Sequence, residues 1–226
     1  MQLFESIKAG WQAKASWVLV VMLGTLSLIY STAQISTLQK SQFWQSLCLV
    51  FFVIIVGRLA VRLPNSSLVV TPADACIFLA VFFLGTPAAV IISGLSSLIS
   101  ASRAKLNKDA RIYFASGQAL CTFLSSSLLY GLINRYQHQI GQPDLLHLQK
   151  SSIPSEVILT AGLAMIGAYF IVNAGLIALF QWCTRNSDEQ ASQSFWVGYL
   201  LWNLTHVFTC GLGTTVIFVL LSRYNA

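Results

Sequence analysis

Residues 72–102, PADACIFLAVFFLGTPAAVIISGLSSLISAS, form an uncharged stretch of 31 residues apart from one acid, Asp74. A run of this length exceeds the roughly 20 residues that a helix needs to cross a ~30 Å hydrocarbon core. The segment LGTP at 84–87 interrupts it, and proline can begin a helix but is disfavoured inside one. We therefore predict two short helices, about 74–84 and 88–101, joined by a tight turn as a hairpin in a membrane.

The composition of the whole chain agrees with this interpretation. Of its 226 residues, 56% are hydrophobic and 9% are charged, and the mean hydropathy is +0.71. Soluble domains carry about 25% charged residues, so the composition excludes an ordinary soluble enzyme and a disordered chain. The chain is predicted to be one all-α, polytopic integral membrane domain over 1–226.

Further apolar stretches complete a predicted bundle of about six long or paired helices. The remaining spans are expected near 16–36, 43–57, 112–133, 157–180 and 195–222. Between the second span and the hairpin, two prolines bracket a β-branched, locally polar piece at 63–72, which predicts a non-helical link. In the last run, Gly211 and Gly213 allow either a kink or a hairpin turn.

Basic residues predict the orientation of the chain. Short loops near membrane spans carry an excess of Lys and Arg on the cytoplasmic side. With a cytoplasmic N-terminus, nine basic residues fall inside (Lys8, Lys14, Arg58, Arg62, Arg103, Lys105, Lys108, Arg111, Arg185) and three outside (Lys40, Arg135, Lys150). A single crossing by 72–102 would destroy this bias, so the hairpin is favoured. The net charge of +6 is thus assigned to orientation, with no nucleic-acid partner.

The chemistry-bearing residues give no sign of catalysis or of a metal. The five cysteines show neither CxxC spacing nor pairing with histidine, and they are interpreted as small apolar side chains. His206 is the only histidine within a predicted span, which excludes bis-histidine haem and three-ligand zinc. We expect no cofactor and no enzymatic activity.

Several uncharged polar side chains fall within the spans, where lipid would not satisfy them. Two interpretations are open: hydrogen bonds between helices, worth roughly 0.6–2 kcal/mol each, or the lining of a pocket for a small molecule. The pocket would lie in the outer half of the bundle, and His206 would make it sensitive to pH. Its predicted ligand-binding residues are Gln118, Asn173, Asn203 and His206, with Tyr169 and Trp202 in its walls.

Asp74 has two interpretations that do not exclude one another. Thr71 can be the N-cap of the first short helix and Pro72 its first residue, which places Asp74 third, where a carboxylate stabilises a helix start. An acid within a membrane protein is also by default a functional group, here a contact to a ligand or cation.

The order of these features resembles the multi-span N-terminal membrane module of bacterial HD-GYP and GGDEF signalling proteins, over about residues 50–225. Such modules are in turn similar to the S components of energy-coupling-factor vitamin transporters. The resemblance is carried by RLAVRLP at 58–64, FLAVFFL at 78–84, LGTPAA at 84–89, YFIVN at 169–173 and LLSRYN at 220–225.

The resemblance implies a non-enzymatic sensory or ligand-binding module in a bacterial inner membrane. A packing change would reach a cytoplasmic output domain or partner protein beyond residue 223, and the last run would then form a re-entrant hairpin. The alternative is a substrate-binding membrane subunit of a vitamin-like transporter. Expected partners are the lipid bilayer and a small-molecule ligand. Faces of small residues such as Gly162 and Gly167 have two interpretations, close contacts between helices of one bundle or the interface of a homodimer.

Overall fold

The computed structural model is a bundle of α-helices, described over residues 11–35, 40–56, 61–62, 69–70, 73–139, 153–184 and 193–224. These ranges contain seven helices: α1 (Trp11–Ile35), α2 (Lys40–Val56), α3 (Ala73–Leu84), α4 (Thr86–Arg103), α5 (Lys108–Gln139), α6 (Ser155–Thr184) and α7 (Gln193–Tyr224). α1, α5, α6 and α7 are long and apolar enough to cross a membrane. The predicted class, an all-α polytopic membrane bundle, is confirmed.

The relative directions of the last three helices follow from contacts at two positions along each pair of neighbouring helices. Tyr113 Oη of α5 donates to Leu176 O of α6 at 2.9 Å. Two turns further along α5, Cys121 Sγ lies 3.3 Å from Tyr169 O. Because the partners move backwards along α6, α5 and α6 are antiparallel. In the same way α6 and α7 are antiparallel, since side chains 173 and 203 meet while Arg223 Nε donates to the hydroxyl of residue 155 at 3.0 Å.

Helix α1 runs parallel to α5 and packs directly against it. Gly24 faces the backbone of Ser116, where an added Cβ would overlap the carbonyl group. Further along both helices, the rings of Tyr30 and Phe123 meet edge to face with centroids 5.9 Å apart. Since α1, α5 and α7 share one direction, the start of α1 and the end of α7 lie at opposite ends of the bundle.

The last apolar run forms one continuous helix, α7, across Gly211 and Gly213. The re-entrant hairpin that the family resemblance implied for this run is therefore wrong. The physical reason is packing: Gly211 is buried against Ile166 of α6, which supports the helix where a turn would otherwise be easy.

The run at 72–102 forms two helices separated by one residue, Gly85. Gly85 has φ +85° and ψ 176°, a conformation that only glycine adopts without strain, and Pro87 follows in the first turn of α4. α3 runs parallel to α7, because Phe82 stacks on Phe218 at 5.1 Å and the start of α3 meets residue 206. α4 returns antiparallel to α5, so α3 and α4 form a helical hairpin.

The link before α3 contains a minimal antiparallel β pair. β1 (Val61–Arg62) pairs with β2 (Val69–Val70) in the register Val61↔Val70 and Arg62↔Val69. β2 lies within the piece at 63–72 that was predicted to be non-helical, and β1 directly precedes that piece. Residues 63–68, 71 and 72 lie outside the described residues.

The core of the bundle is built around α3. This helix is apolar on all sides, and residues such as Ile77, Phe78 and Phe82 are at most 2% exposed. It packs against α2, α4 and α7. A helix buried all round leaves no face for lipid. The same burial holds its one charged residue, Asp74, inside the protein.

Candidate functional site: a polar cluster inside the bundle

Asp74 connects three helices through its carboxylate. It lies in the first turn of α3. Its Oδ1 accepts a hydrogen bond from Tyr169 Oη of α6 at 3.0 Å. Its Oδ2 lies 3.3 Å from His206 Nε2 of α7, an ion pair when the imidazole is protonated. Less than a fifth of either side chain in this pair is exposed. Burial with a charged partner is the arrangement that an acid in a membrane requires.

Tyr169 extends this group to a fourth helix. The Tyr169 side chain is 1% exposed, and its ring packs on Phe78 of α3 with centroids 5.0 Å apart. The hydroxyl accepts a hydrogen bond from Gln118 Nε2 of α5 while it donates to Asp74. Phe78 and Asp74 are one turn apart on α3, so that helix holds both the ring and the hydroxyl of the tyrosine.

A second polar pair lies one turn away between α6 and α7. Asn173 Nδ2 donates to Asn203 Oδ1 at 3.5 Å. Asn173 is four residues after Tyr169, and Asn203 is three residues before His206, so each shares a helix face with its neighbour. Asn203 is 8% exposed, and its Nδ2 has no hydrogen-bond partner within the described residues. The six side chains of these two groups, which we call the polar cluster, are Asp74, Gln118, Tyr169, Asn173, Asn203 and His206.

The polar cluster lies partway along the long helices of the bundle. Gln118 is ten residues after Lys108, the first residue of α5. At 1.5 Å per residue this is about 15 Å from the end of the bundle at which α5 begins. The location of a pocket in the outer half of the bundle stays a prediction.

Charge inside the bundle is confined to this cluster among the described residues. The other described charged residues lie near helix ends, in the turn between α4 and α5, or, for Arg62, in strand β1. The cluster therefore contains a carboxylate, an imidazole, a phenol and three amides, and neither lysine nor arginine. Such a set can donate and accept hydrogen bonds with a polar molecule, and it offers no surplus positive charge for an anion.

The structure brings together five of the six residues that the sequence predicted for ligand binding. Trp202 is the exception: it is 48% exposed and faces outward, because one residue along a helix turns the side chain by about 100° from Asn203. Thr71, the predicted N-cap, lies outside the described residues. For Asp74 the sequence left two roles open, a helix start and a contact to a ligand or cation, and it did not name Asp74 among the pocket residues. Its position as the one charge in a long apolar run was the signal for the second role.

The described residues contain no group of three or more His, Cys, Asp or Glu side chains that could hold a metal ion. Cys210 Sγ lies 3.9 Å from His206 Nδ1. All five cysteines are free thiols. The ligand-binding role of the cluster stays a prediction.

Comparisons with known proteins give one structural similarity. No family model matches the chain, and no curated protein matches it. Among solved structures, the chain is similar to the S component of a bacterial ECF transporter. The two share 16% sequence identity with a TM-score of 0.41, over 83% of this chain and 96% of the other. A similarity at this level assigns the chain to no family.

Proposed function

We propose that this protein is a non-enzymatic membrane subunit that captures a small polar molecule at the polar cluster for transport. The observation that carries the proposal is the convergence of six polar side chains from α3, α5, α6 and α7 inside the bundle. Polar and ionisable groups inside a membrane are expensive, and they commonly mark substrate or ion pathways. Small-molecule sites have this composition, with mostly apolar walls and a few convergent polar groups.

The short helix α3 supports the same proposal. Its 12 residues correspond to about 18 Å, too short for a ~30 Å core, and it begins at the polar cluster. Membrane transporters often build their binding sites from interrupted helices whose ends lie near the midplane. The N-terminal end of α3 adds a partial positive charge beside the Asp74 carboxylate.

A sensory module with a cytoplasmic C-terminal output domain is less well supported. With a cytoplasmic N-terminus, that arrangement needs the start of α1 and the end of α7 on the same face of the membrane. The shared direction of α1 and α7 places Trp11 and Tyr224 at opposite ends of the bundle. This geometry fits a subunit that works by contact with other membrane subunits better than one that passes a signal to its own C-terminal extension.

Small molecules retained by the purified protein test the binding step. Mass spectrometry of denatured wild-type protein is expected to detect a polar compound that Asp74→Asn and Gln118→Leu no longer retain. Thr205→Ala is the matched control, because residue 205 is exposed beside His206 on α7 and hydrogen bonds only to the backbone of its own helix. Equal retention by a correctly folded Asp74→Asn variant would exclude the cluster as the binding site.

Uptake distinguishes transport from binding alone. Cells that express the protein should accumulate the retained compound in radiolabelled form, and Gln118→Leu should abolish that accumulation. Co-purification with an ATP-hydrolysing pair of subunits would identify the energy source. Retention of the compound without any uptake would instead favour a binding or sensory role.

A further inference from the structure

The structure gathers basic side chains from two separate parts of the sequence at one end of the bundle. Arg103, Lys105, Lys108 and Arg111 flank the turn between α4 and α5. Lys14 of α1 joins them, because α1 and α5 are parallel and Gly24 lies level with Ser116. Lys14 is ten residues before Gly24, and ten residues before Ser116 is Leu106, in the turn between α4 and α5. We call these five residues the basic end.

The basic end carries more positive charge than the opposite end of the bundle. Its described residues include one acid, Asp109, against five bases. At the other end, the described residues Lys40, Arg135 and Arg223 accompany Glu156, and Arg223 donates to Ser155. The asymmetry is therefore a property of the folded bundle and is concentrated at one membrane surface.

Two exposed tryptophans lie at the same level of the bundle as the basic end. Trp182 lies at the end of α6, which is antiparallel to α5, and the contact of Tyr113 with Leu176 sets it level with the turn. Trp182 is 51% exposed and Trp11, at the start of α1, is 76% exposed. Tryptophan is enriched at the boundary between hydrocarbon and water. The neighbouring bases are therefore expected at the depth of the lipid phosphates.

In the turn between α4 and α5, an anion would be bound by side chains, because the backbone amides of residues 104–106 are already hydrogen bonded. The amides of residues 104, 105 and 106 donate to carbonyl groups at the end of α4. The amide of Ala110 donates to Asn107 Oδ1, and Arg111 Nε donates to Leu106 O at 2.7 Å. Lys105 and Lys108 are exposed. Any anion at this surface would be held by their ammonium groups.

We propose that the basic end is a binding site for the phosphate of anionic phospholipid headgroups, such as phosphatidylglycerol. Basic residues beside a membrane span attract anionic lipid by about 1 kcal/mol each. The site is separate from the polar cluster, and it anchors the α4–α5 turn and the start of α1 to one leaflet. The preference over zwitterionic lipid follows from the net charge of the lipid, since both lipid classes carry a phosphate.

Native mass spectrometry with titrated lipids tests this site. Wild-type protein is expected to bind phosphatidylglycerol more tightly than phosphatidylcholine. The double variant Lys105→Gln/Lys108→Gln should lose about thirty-fold in affinity for phosphatidylglycerol. Its affinity for phosphatidylcholine should not change, and high salt should reduce the preference of the wild type.

Two controls accompany this experiment: a comparison of two substitutions on α5, and a competition with inorganic phosphate. Lys108→Gln and Arg135→Gln each remove one positive charge from α5, at opposite ends, and only the first should weaken binding of phosphatidylglycerol. Equal weakening by both would overturn the proposal, because it would show attraction to total charge. Displacement of the lipid by inorganic phosphate at equal concentration would also overturn it, in favour of a site for free phosphate.

Discussion

One hydroxyl group, that of Tyr169, satisfies two polar side chains on different helices. It accepts from Gln118 Nε2 and donates to Asp74 Oδ1. Tyr169→Phe keeps the ring packing on Phe78 and removes the hydrogen-bond partner of both Gln118 Nε2 and Asp74 Oδ1, so we expect it to lower the free energy of unfolding by about 2–4 kcal/mol. Unfolding in mixed detergent and SDS micelles measures the loss.

Tyr130→Phe is the control for that substitution. Tyr130 Oη donates to the backbone carbonyl of Val81 at 2.6 Å, and no second side chain is held by that hydroxyl in the described contacts. The loss should be near 1 kcal/mol. If the two variants lose equal stability, Tyr169 does not connect Asp74 to Gln118 in the folded protein.

A double substitution of Asn173 and Asn203 tests whether this amide pair stabilises the packing of α6 on α7 or is present for another role, such as ligand binding. Replacing both partners of a hydrogen bond with apolar groups of similar size is nearly neutral, and it also removes the unpaired Asn203 Nδ2. The double variant Asn173→Leu/Asn203→Leu should therefore unfold within about 1 kcal/mol of wild type or above it. A larger loss in the same micelle titration would assign the pair to interhelical stabilisation.

Most of the polar cluster could be predicted from single residues, for a physical reason. Gln118, Asn173 and Asn203 cannot face lipid at low energy, so their presence in spans already directs them inward. Asp74 was left with two roles, because a proline and an acid near a helix start also fit a local cap. Only the placement of α3 against α6 and α7 shows which neighbours share its carboxylate.

At the scale of elements, the contact of α1 with α5 depends on Gly24. A Cβ at this position would meet the backbone of Ser116, which cannot move away as a side chain can. Gly24→Ala is expected to lower the free energy of unfolding by about 1–3 kcal/mol, the range for overpacked cores. Thermal denaturation of the detergent-solubilised protein provides a parallel readout.

Gly213→Ala is the comparison for Gly24→Ala, because a Cβ at residue 213 meets nothing within 4 Å. Alanine has a higher helix propensity than glycine, by up to about 1 kcal/mol. Gly213→Ala should leave stability unchanged or raise it. If Gly24→Ala is equally well tolerated, the two helices do not approach as closely as the backbone contact requires.

Helices could be located from the sequence more easily than their partners. Apolar runs and the LGTP break predicted the hairpin of α3 and α4, because Gly85 and Pro87 act on the local backbone. The parallel docking of α1 on α5 has no local signal, since it depends on a small residue meeting a distant backbone. Continuity of α7 through Gly211 likewise depends on Ile166, a contact with another helix.

For the whole molecule, the shared direction of α1 and α7 predicts opposite sides for the two chain ends. Green fluorescent protein fused before Met1 should fluoresce, which indicates the cytoplasm and agrees with the charge bias. Alkaline phosphatase fused after Ala226 should be active, which indicates the outside. Each fusion with the other reporter should be inactive.

A cysteine label provides an independent check on that topology. Leu106→Cys lies in the turn between α4 and α5, at the same end as the start of α1. It should resist membrane-impermeant maleimide in intact cells and react after the cells are broken. Reaction in intact cells, or fluorescence of a C-terminal green fluorescent protein fusion, would contradict the arrangement.

The contact between Gly24 and Ser116 also has a consequence for biosynthesis. Their sequence separation is 92 residues, so the docking surface for α1 is absent when the ribosome first delivers that helix. At about 5–20 residues per second, the gap is roughly 5–20 s. During that time α1 must stay in the bilayer without its partner, and its uncharged length, from residue 15 to the end of the helix, lets it do so. The hydrophobicity of the first span is thus a requirement of the order of synthesis as well as of the finished bundle.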